Sequence, residues 1–347
     1  MKKSNKSLSK VLIASILIAA FSFSFSSSVW AKDGSDTTQE EEGSTDFIMH
    51  HIADDYQWHI ITIGHTHVSI PLPIIIYEKG NGFQFFMSSD FYDADHNPIP
   101  HEGYEIEHGS LHATEEGAHD FLDLSITKNV ASLILSMIIL LAVFITVAKR
   151  YKNGISAPKG IQSFFEPVIV FIRDDIAKAN IGADKYERFM PYLLTLFFFI
   201  LFNNLLGLTP GAANLTGNIT VTLCLALFTF FITQFNGRKA YWTHILWTPG
   251  VPLPLRPIIL IVEVIGIFTK PISLTLRLFA SITAGHIVVL SIIGLGFILN
   301  SLAVGVVGTL FSTVITLIEI LVAVIQAYVF TLFSSMYIGQ AVDDGHH

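Results

Sequence analysis

Residues 129–148, NVASLILSMIILLAVFITVA, are 20 consecutive uncharged positions, nearly all apolar or small. A helix of that length rises roughly 30 Å, enough to cross the hydrocarbon core of a bilayer. Two further stretches are longer. Residues 257 to about 294 are apolar apart from Glu263, Lys270 and Arg277, and residues 301 to about 338 apart from Glu319. As helices, about 38 residues reach roughly 57 Å, so these segments must tilt, kink or run beyond the core, with Pro271 the candidate kink. Residues 189–208 and Ile219–Phe235 supply the remaining spans. The expected fold is an all-α polytopic membrane protein with five transmembrane crossings, its last two helices long and tilted. Composition agrees: the chain is 51% hydrophobic and only 14% charged, against about 25% charged in soluble domains.

The charges that remain fix an orientation. Lys2, Lys3, Lys6 and Lys10 precede an apolar segment and the small residues leading to Val29-Trp30-Ala31. That is the pattern of a signal peptide, residues 1–31, cleaved after Ala31, so residue 32 begins outside the cytoplasm. Lys149, Arg150 and Lys152 close the first span and Arg238 and Lys239 the third, placing both ends in the cytoplasm by the positive-inside rule. Between them, IQSFFEPVIVFIRDDIAKANIG mixes aromatics with charges, as expected of a helix on the cytoplasmic surface. Counting crossings puts the C-terminal tail, residues 343–347, in the cytoplasm, and residues 125–342 form the membrane domain.

Residues 32–124 have a different character. They hold 19 of the chain's 28 acidic residues and ten of its 14 histidines, with only Lys32 and Lys79 as strong bases. Residues 32–45 read as a polar leader. Next come β-branched and aromatic runs, with EKGNGF as a hairpin turn between strands at 74–77 and 83–87. Residues 90–123 read as a polar, His- and Asp-rich connection. The expectation is a small, mostly β external module. Its histidines (His50, His51, His59, His65, His67, His96, His101, His108, His112 and His119) offer a competing reading, an independent cation or metal transporter with a metal-binding outer domain. Scattered histidines among acids are more often a solvated surface, and no metal site is assigned. The lone Cys224 excludes an intrachain disulfide and a thiolate cluster. Nucleic acid is not an expected partner, because no basic face with interleaved aromatics occurs.

Function concentrates in the intramembrane charges, each costing roughly 2.5–3.5 kcal/mol on insertion scales. At 100° per residue, Ser273, Ser281, Ala284 and Val288 lie within about 40° of Arg277, and Ala280 at about 60°. Arg277 therefore stands on a face of small residues, which lets another helix approach closely. Glu263 is 14 residues away, roughly 21 Å along the axis, too far to neutralise it. The countercharge is expected on another helix or another protein. His286 falls about 180° from Arg277 around the helix. If the last two helices run antiparallel, His286 and Glu319 share one depth, and Gln326 comes level with Arg277. A histidine facing a carboxylate makes a proton relay. Arginine stays protonated and cannot join one. Lys270 reads as a snorkelling or structural charge.

These residues also carry a resemblance. PISLTLRLFASITAGH, with EVIGIFTK before it and IEILVAVIQAYVFTLFSSMY after it, resembles subunit a of the F-type ATP synthase, as do FFFILFNNLLGLTP and TGNITVTLCLALFTF. The similarity covers roughly residues 125–342. It implies a subunit of the cell inner membrane, multi-pass, not an enzyme on its own and without cofactor or metal. Its implied partners are a c-subunit ring, a b-subunit peripheral stalk, the rest of the F1Fo complex and membrane lipid. By position, Arg277 resembles the essential arginine facing the rotor carboxylates and Gln326 its neighbour. His286 and Glu319 resemble residues of the outer half-channel, Asn204 and Asn218 polar positions near its entry, and Glu263 the acid of the cytoplasmic half-channel. Some bacterial members place an acid where His286 stands and a histidine where Glu319 stands; here the pair is exchanged.

Overall fold

The computed structural model describes residues 54–63, 66–78, 82–93, 98–107, 109–114, 121–151, 160–209, 213–247, 252–299 and 301–343. The expected signal peptide and acidic leader lie outside them. The chain divides into two compact units. One joins the N-terminal segment through Ser132 to Leu208–Ala213 and Gly285–Glu319; the other comprises Leu133–Gly207, Asn214–Ala284 and the segment from Ile320 onward.

In the first unit, strands β1 (Gln57–Ile63) and β2 (Thr66–Pro71) form one antiparallel ladder. β3 (Pro73–Glu78) is the centre of a second sheet, flanked by β4 (Gly82–Met87) and β7 (Phe121–Asp123). The hairpin expected around EKGNGF is present, with Tyr77 opposite Phe83 and Ile75 opposite Phe85. Alternation decides what is buried: Ile74 and Ile76 are fully enclosed and pack with Tyr56, Phe91, Tyr104, Ile106 and Leu111.

Residues 90–123 depart from the expected connection. Among them β5 (Tyr104–Glu107) and β6 (Ser110–Ala113) pair as a hairpin, and β7 joins the β3 sheet. In YEIEHGSLHA the buried Tyr104, Ile106 and Leu111 alternate with polar residues, so a period-2 pattern was present beneath a polar average. Gly109 turns this hairpin with φ +74°, a conformation glycine adopts without steric cost.

The module runs directly into helix α1 (Lys128–Tyr151). The β3–β7 pairing continues past β7, with Leu124 N donating to Ile75 O (2.9 Å) and Ile126 N to Pro73 O (3.1 Å). Asp54 accepts from Asn129 N (3.0 Å) and from Thr127 Oγ1 (2.8 Å). Lys128 N donates to Asp55 O (2.8 Å). Asp54 thus satisfies a donor that a helix N-terminus leaves open.

The second unit is helical. α2 (Ile161–Phe171) continues through a wider, π-type stretch, Ile172–Lys178, into Ala179–Ile181. α3 (Tyr186–Gly207) and α4 (Ile219–Phe235) follow, then the short α5 (Lys239–Leu246), bent 100° from α4. α6 (Arg256–Ile298) and α7 (Leu302–Val342) are the two long helices. α6 carries on through Pro271, where Thr275 Oγ1 donates to the Pro271 carbonyl (2.9 Å). Among the described residues four helices, α1, α3, α6 and α7, are long and apolar enough to cross a membrane. The remaining expected crossing, α4, has 17 residues, at the short end of what spans a bilayer core, and is followed by α5 after a sharp bend.

The helical core uses small and hydroxylated residues for close contact. Thr229 Oγ1 lies 3.2 Å from Ser334 Oγ and 2.7 Å from Tyr192 Oη. Thr233 and Thr331 turn their hydroxyls back onto carbonyls of their own helices, so neither hydroxyl is left unsatisfied in an apolar interior. At Gly339 a Cβ would strike the backbone carbonyl of Asn180, so only glycine lets α7 pass that segment. In the apolar window of α3, 44% of residues are buried, against 11% in those of α6 and α7. Along those windows the long helices therefore leave most of their apolar surface uncovered by the rest of the described chain.

Candidate functional site

Arg277 lies midway along α6, half-buried. Its guanidinium carbon sits 4.2 Å from the centre of the Phe333 ring on α7. Its Nη1 is buried and makes no hydrogen bond, and among the described residues no carboxylate oxygen lies within 4.0 Å of it. A ring face attracts the cation, by about 0.5–2 kcal/mol, without occupying an N–H donor. The guanidinium is thus held in place with hydrogen-bonding capacity in reserve.

The surroundings of Arg277 are asymmetric. On one side Ser281 Oγ donates to the Arg277 carbonyl (2.8 Å) and accepts from Gln326 Nε2 (2.9 Å). Gln326 therefore meets α6 one turn beyond Arg277 rather than level with it, because the helices cross out of the register that equal offsets from the turn would give. On the other side Ser273, Ala280, Ala284 and Val288 are exposed. The face of small residues expected from helical periodicity is open next to Arg277.

Within the first unit, the ends of α6 and α7 run antiparallel, with Gly296 against Gly305 and Gly308 against Ile292. Glu319 abuts Gly285: a Cβ there would collide with the carboxylate. The acid is thus placed at the turn that carries His286, whose Nε2 is buried. The two residues share one level, as the antiparallel arrangement requires.

Asn204 is almost fully buried on α3, and its Nδ2 donates to Ala323 O (3.2 Å). Its Oδ1 makes no hydrogen bond, and neither does Oδ1 of Asn203, Nδ2 of Asn214 or Oγ1 of Thr216. These four buried polar atoms belong to α3 and the turn Leu215–Gly217 with its flanking Asn214, which pack together. Such atoms demand partners, and water is the usual one where the site is polar. Asn218 has a different duty: it caps α4, accepting from Thr220 N (2.9 Å). Thr283 Oγ1 reaches Gly217 O (3.5 Å), joining α6 to the same turn. Asn203, Asn214 and Thr216 were not singled out from sequence; the signal available was an amide or hydroxyl inside an apolar run.

Glu263 lies elsewhere on α6, in a cleft of about 420 Å³ lined by Tyr241, His244, Lys270, Gln340 and Asp343 among others. His244 Nδ1 stands 4.0 Å from Glu263 Oε1. Lys270 donates to Gln340 Oε1 (3.1 Å) and lies over the Tyr337 ring at 5.1 Å, the anchored position expected of a structural charge. Periodicity placed Glu263 on α6, but not the partners that α5 and the last turn of α7 bring to it.

Comparison with known proteins gives the site its context. The family model described as ATP synthase A chain matches residues 130–339. A second, a domain of unknown function (DUF8433), matches residues 47–132. The chain is 50% identical over 233 residues to ATP synthase subunit a 2 of Prosthecochloris aestuarii, covering 65% of this chain and 71% of that one. It is 44% identical over 261 residues to ATP synthase subunit a of Chloroherpeton thalassium, covering 74% and 78%. With the subunit a of Myxococcus xanthus it shares 45% identity over 232 residues, covering 65% and 76%. A match over most of the helical part, with relatives this similar, places the chain in the ATP synthase subunit a family, a membrane subunit of the complex with no catalytic activity of its own.

Proposed function

We propose that this subunit is the stator proton channel of Fo, with Arg277 facing a ring of c subunits across the open side of α6. The observation that carries this reading is the state of Arg277. It is a cation half-buried among apolar helices, held by an aromatic face, with a buried N–H lacking an acceptor and an exposed strip of small residues beside it. A site built for a fixed partner would carry the acid with it. A carboxylate arriving on another helix supplies the acceptor transiently, and the small side chains let that helix come close.

Protons then enter from the outer side past Glu319 and His286, by way of the polar atoms around Asn204 and the turn near Asn218, and neutralise a rotor carboxylate. The neutral acid turns into lipid; an ionised one is retained by Arg277. After nearly a full revolution the acid releases its proton into the cleft at Glu263, with His244 beside it, toward the cytoplasm. Arg277, permanently charged, repels protons and prevents a direct leak between the two paths. Gln326, bonded to Ser281, stiffens α6 next to the arginine.

The same reading gives five crossings, with α4 as the third and α5 in the interfacial connection after it, the β module outside and the C-terminus inside. Residues 1–31 are its signal peptide, 32–124 the external module, 125–342 the membrane domain and 343–347 the tail. α2 with its continuation to Ile181 is the cytoplasmic surface helix: in that continuation Ile172, Ile176 and Ile181 are buried while Arg173, Asp174 and Lys178 form a half-exposed ion cluster. The b stalk docks on the stator side. Family membership displaces the competing reading as a free-standing carrier. The test is Arg277→Ala in membranes containing the whole complex: proton-driven ATP synthesis is abolished with assembly intact, and synthesis at the native rate refutes the assignment.

A further inference from the structure

The β3 sheet has two apolar faces, and the core uses one of them. Ile74 and Ile76 point inward with no exposure. Opposite them, Tyr77 stands across from both Phe83 and Leu122, Ile75 from Phe85 and Pro73 from Met87. Leu124, bonded through its N–H to Ile75 O, extends the same row. No charged residue occupies any of these positions. Phe85 is 70% exposed, Leu122 63%, Phe83 60% and Leu124 54%, with Met87 and Tyr77 also outside the core. Contiguous exposed aromatic surface of this kind marks a contact site rather than a solvated face.

We infer that this face lies on the head-group layer of the bilayer, as a monotopic contact that seats the module on the membrane. The occupant is fixed by chain continuity. The row Leu122–Leu124 belongs to the segment that stays hydrogen-bonded to β3 as far as Ile126, and the apolar helix α1 begins at Lys128. Six residues of strand span at most roughly 20 Å, so Leu122 cannot lie farther than that from the helix entering the bilayer. Asp54 and Asp55, at the foot of β1, bond to the first residues of α1 and leave no free linker. Phe, Tyr, Leu and Met are side chains that lie at the boundary between head groups and acyl chains, the aromatics by their amphipathic rings. The inference requires α1 to be a membrane span; it does not require the assignment of Arg277.

The chain's single cysteine makes the test direct. In a Cys224→Ser background within the assembled complex in native-lipid vesicles, nitroxide labels are placed at Phe85→Cys, Leu122→Cys and, as the water-facing reference, His112→Cys on β6, where the side chain is exposed. The ratio of collision with oxygen to collision with a water-soluble nickel chelate is expected to be about fivefold or more higher at 85 and 122 than at 112. Equal ratios at all three sites overturn the inference, because the face then meets water. Labels at 85 and 122 shielded from both reagents overturn it too, since polypeptide rather than lipid then covers the face. Both labelled residues are exposed, so neither substitution removes core packing, and two independent sites guard against a local artefact.

Discussion

A single methyl group at Gly285 tests whether the position of Glu319 matters for conduction. In the native chain the Glu319 carboxylate fills the space that a Cβ at residue 285 would take. The Cδ and Cγ of Glu319 would stand 3.0 and 3.1 Å from that Cβ, inside the 3.4 Å at which ordinary contact begins, and a carboxylate oxygen would overlap it outright. The three nearest atoms all belong to the flexible Glu319 side chain. Gly285→Ala is therefore relieved by a change of Glu319 rotamer, at about 0.5–1.5 kcal/mol, rather than by moving a helix. The subunit folds and assembles, but the carboxylate is displaced by about 1 Å, a misplacement that can slow a positioned transfer by about 100-fold. The assay is passive proton conductance through Fo in vesicles stripped of F1, with subunit content checked by immunoblot. Gly285→Ala is expected to conduct about 10- to 100-fold more slowly at normal subunit content. Glu319→Asp, one methylene shorter, also slows conduction alone, yet added to Gly285→Ala it restores part of the loss, a coupling of about 0.5–3 kcal/mol in a double-mutant cycle. If Gly285→Ala conducts normally, or the two losses simply add, Glu319 is not held at the Gly285 turn for proton transfer.

The same substitution at Gly339 has the opposite character: its Cβ meets the Asn180 backbone carbonyl, which cannot rotate away, so Gly339→Ala is expected to lose most of the assembled subunit by immunoblot. Replacing Phe333 by Leu removes the ring under Arg277, worth about 0.5–2 kcal/mol, and is expected to lower ATP synthesis between about twofold and tenfold while Phe333→Trp retains it. Asp54→Ala deletes the cap at Asn129 and the bond to Thr127 and is expected to destabilise the module–helix junction by about 0.5–2 kcal/mol, read as faster amide exchange at the start of α1. Burial first, then the hydrogen bond to Asp123, raises the Tyr56 phenol above its ordinary 10.0; burial, then the Asp55 charge, does the same for Tyr92. A phenol that keeps its proton longer when folded stabilises fully below pH 10 and loses that contribution as pH climbs toward the raised value. The module should therefore loosen progressively above pH 10, and Tyr56→Phe should flatten that alkaline slope in exchange measurements.

What could be read from sequence follows from how far each signal reaches along the chain. Helix length and the open face around Arg277 are properties of one helix, and periodicity alone sufficed for both. The antiparallel pairing of α6 with α7 was also accessible, because a short turn forces equal depths, but depth is coarser than contact. Gln326 came out one turn away, on Ser281, since two helices that cross do not keep a constant offset. The β5–β6 hairpin was missed for a different reason: its alternation is carried by Tyr104, Ile106 and Leu111 among histidines and acids, and a polar average concealed it. His244, Gln340 and Asp343 could not be placed at all, because no local pattern brings α5 and the end of α7 to Glu263.

The two candidate proton paths are built from different materials, and the difference bears on direction. Near Asn204 the polar atoms are amides and hydroxyls that are buried and unpaired. Such atoms carry no charge, and water is the usual partner for them in a polar site. Around Glu263 the lining groups are a carboxylate, a histidine, a lysine and Asp343 in an open cleft of about 420 Å³. On the proposed reading the outer path joins these neutral dipoles to the pair Glu319 and His286, whereas ionisable side chains line the inner one. On the reading proposed above, Arg277 shares its helix with Glu263 and His286, and a rotor carboxylate discharged beside the arginine is refilled from the side where His286 and Glu319 stand. Exchanging that amide-rich lining for acids, for instance by Asn204→Asp, should therefore impair delivery more than release: proton-driven synthesis falls further than ATP-driven pumping in the same vesicles. An equal fall in both directions would show that the lining of the two paths does not set the bias.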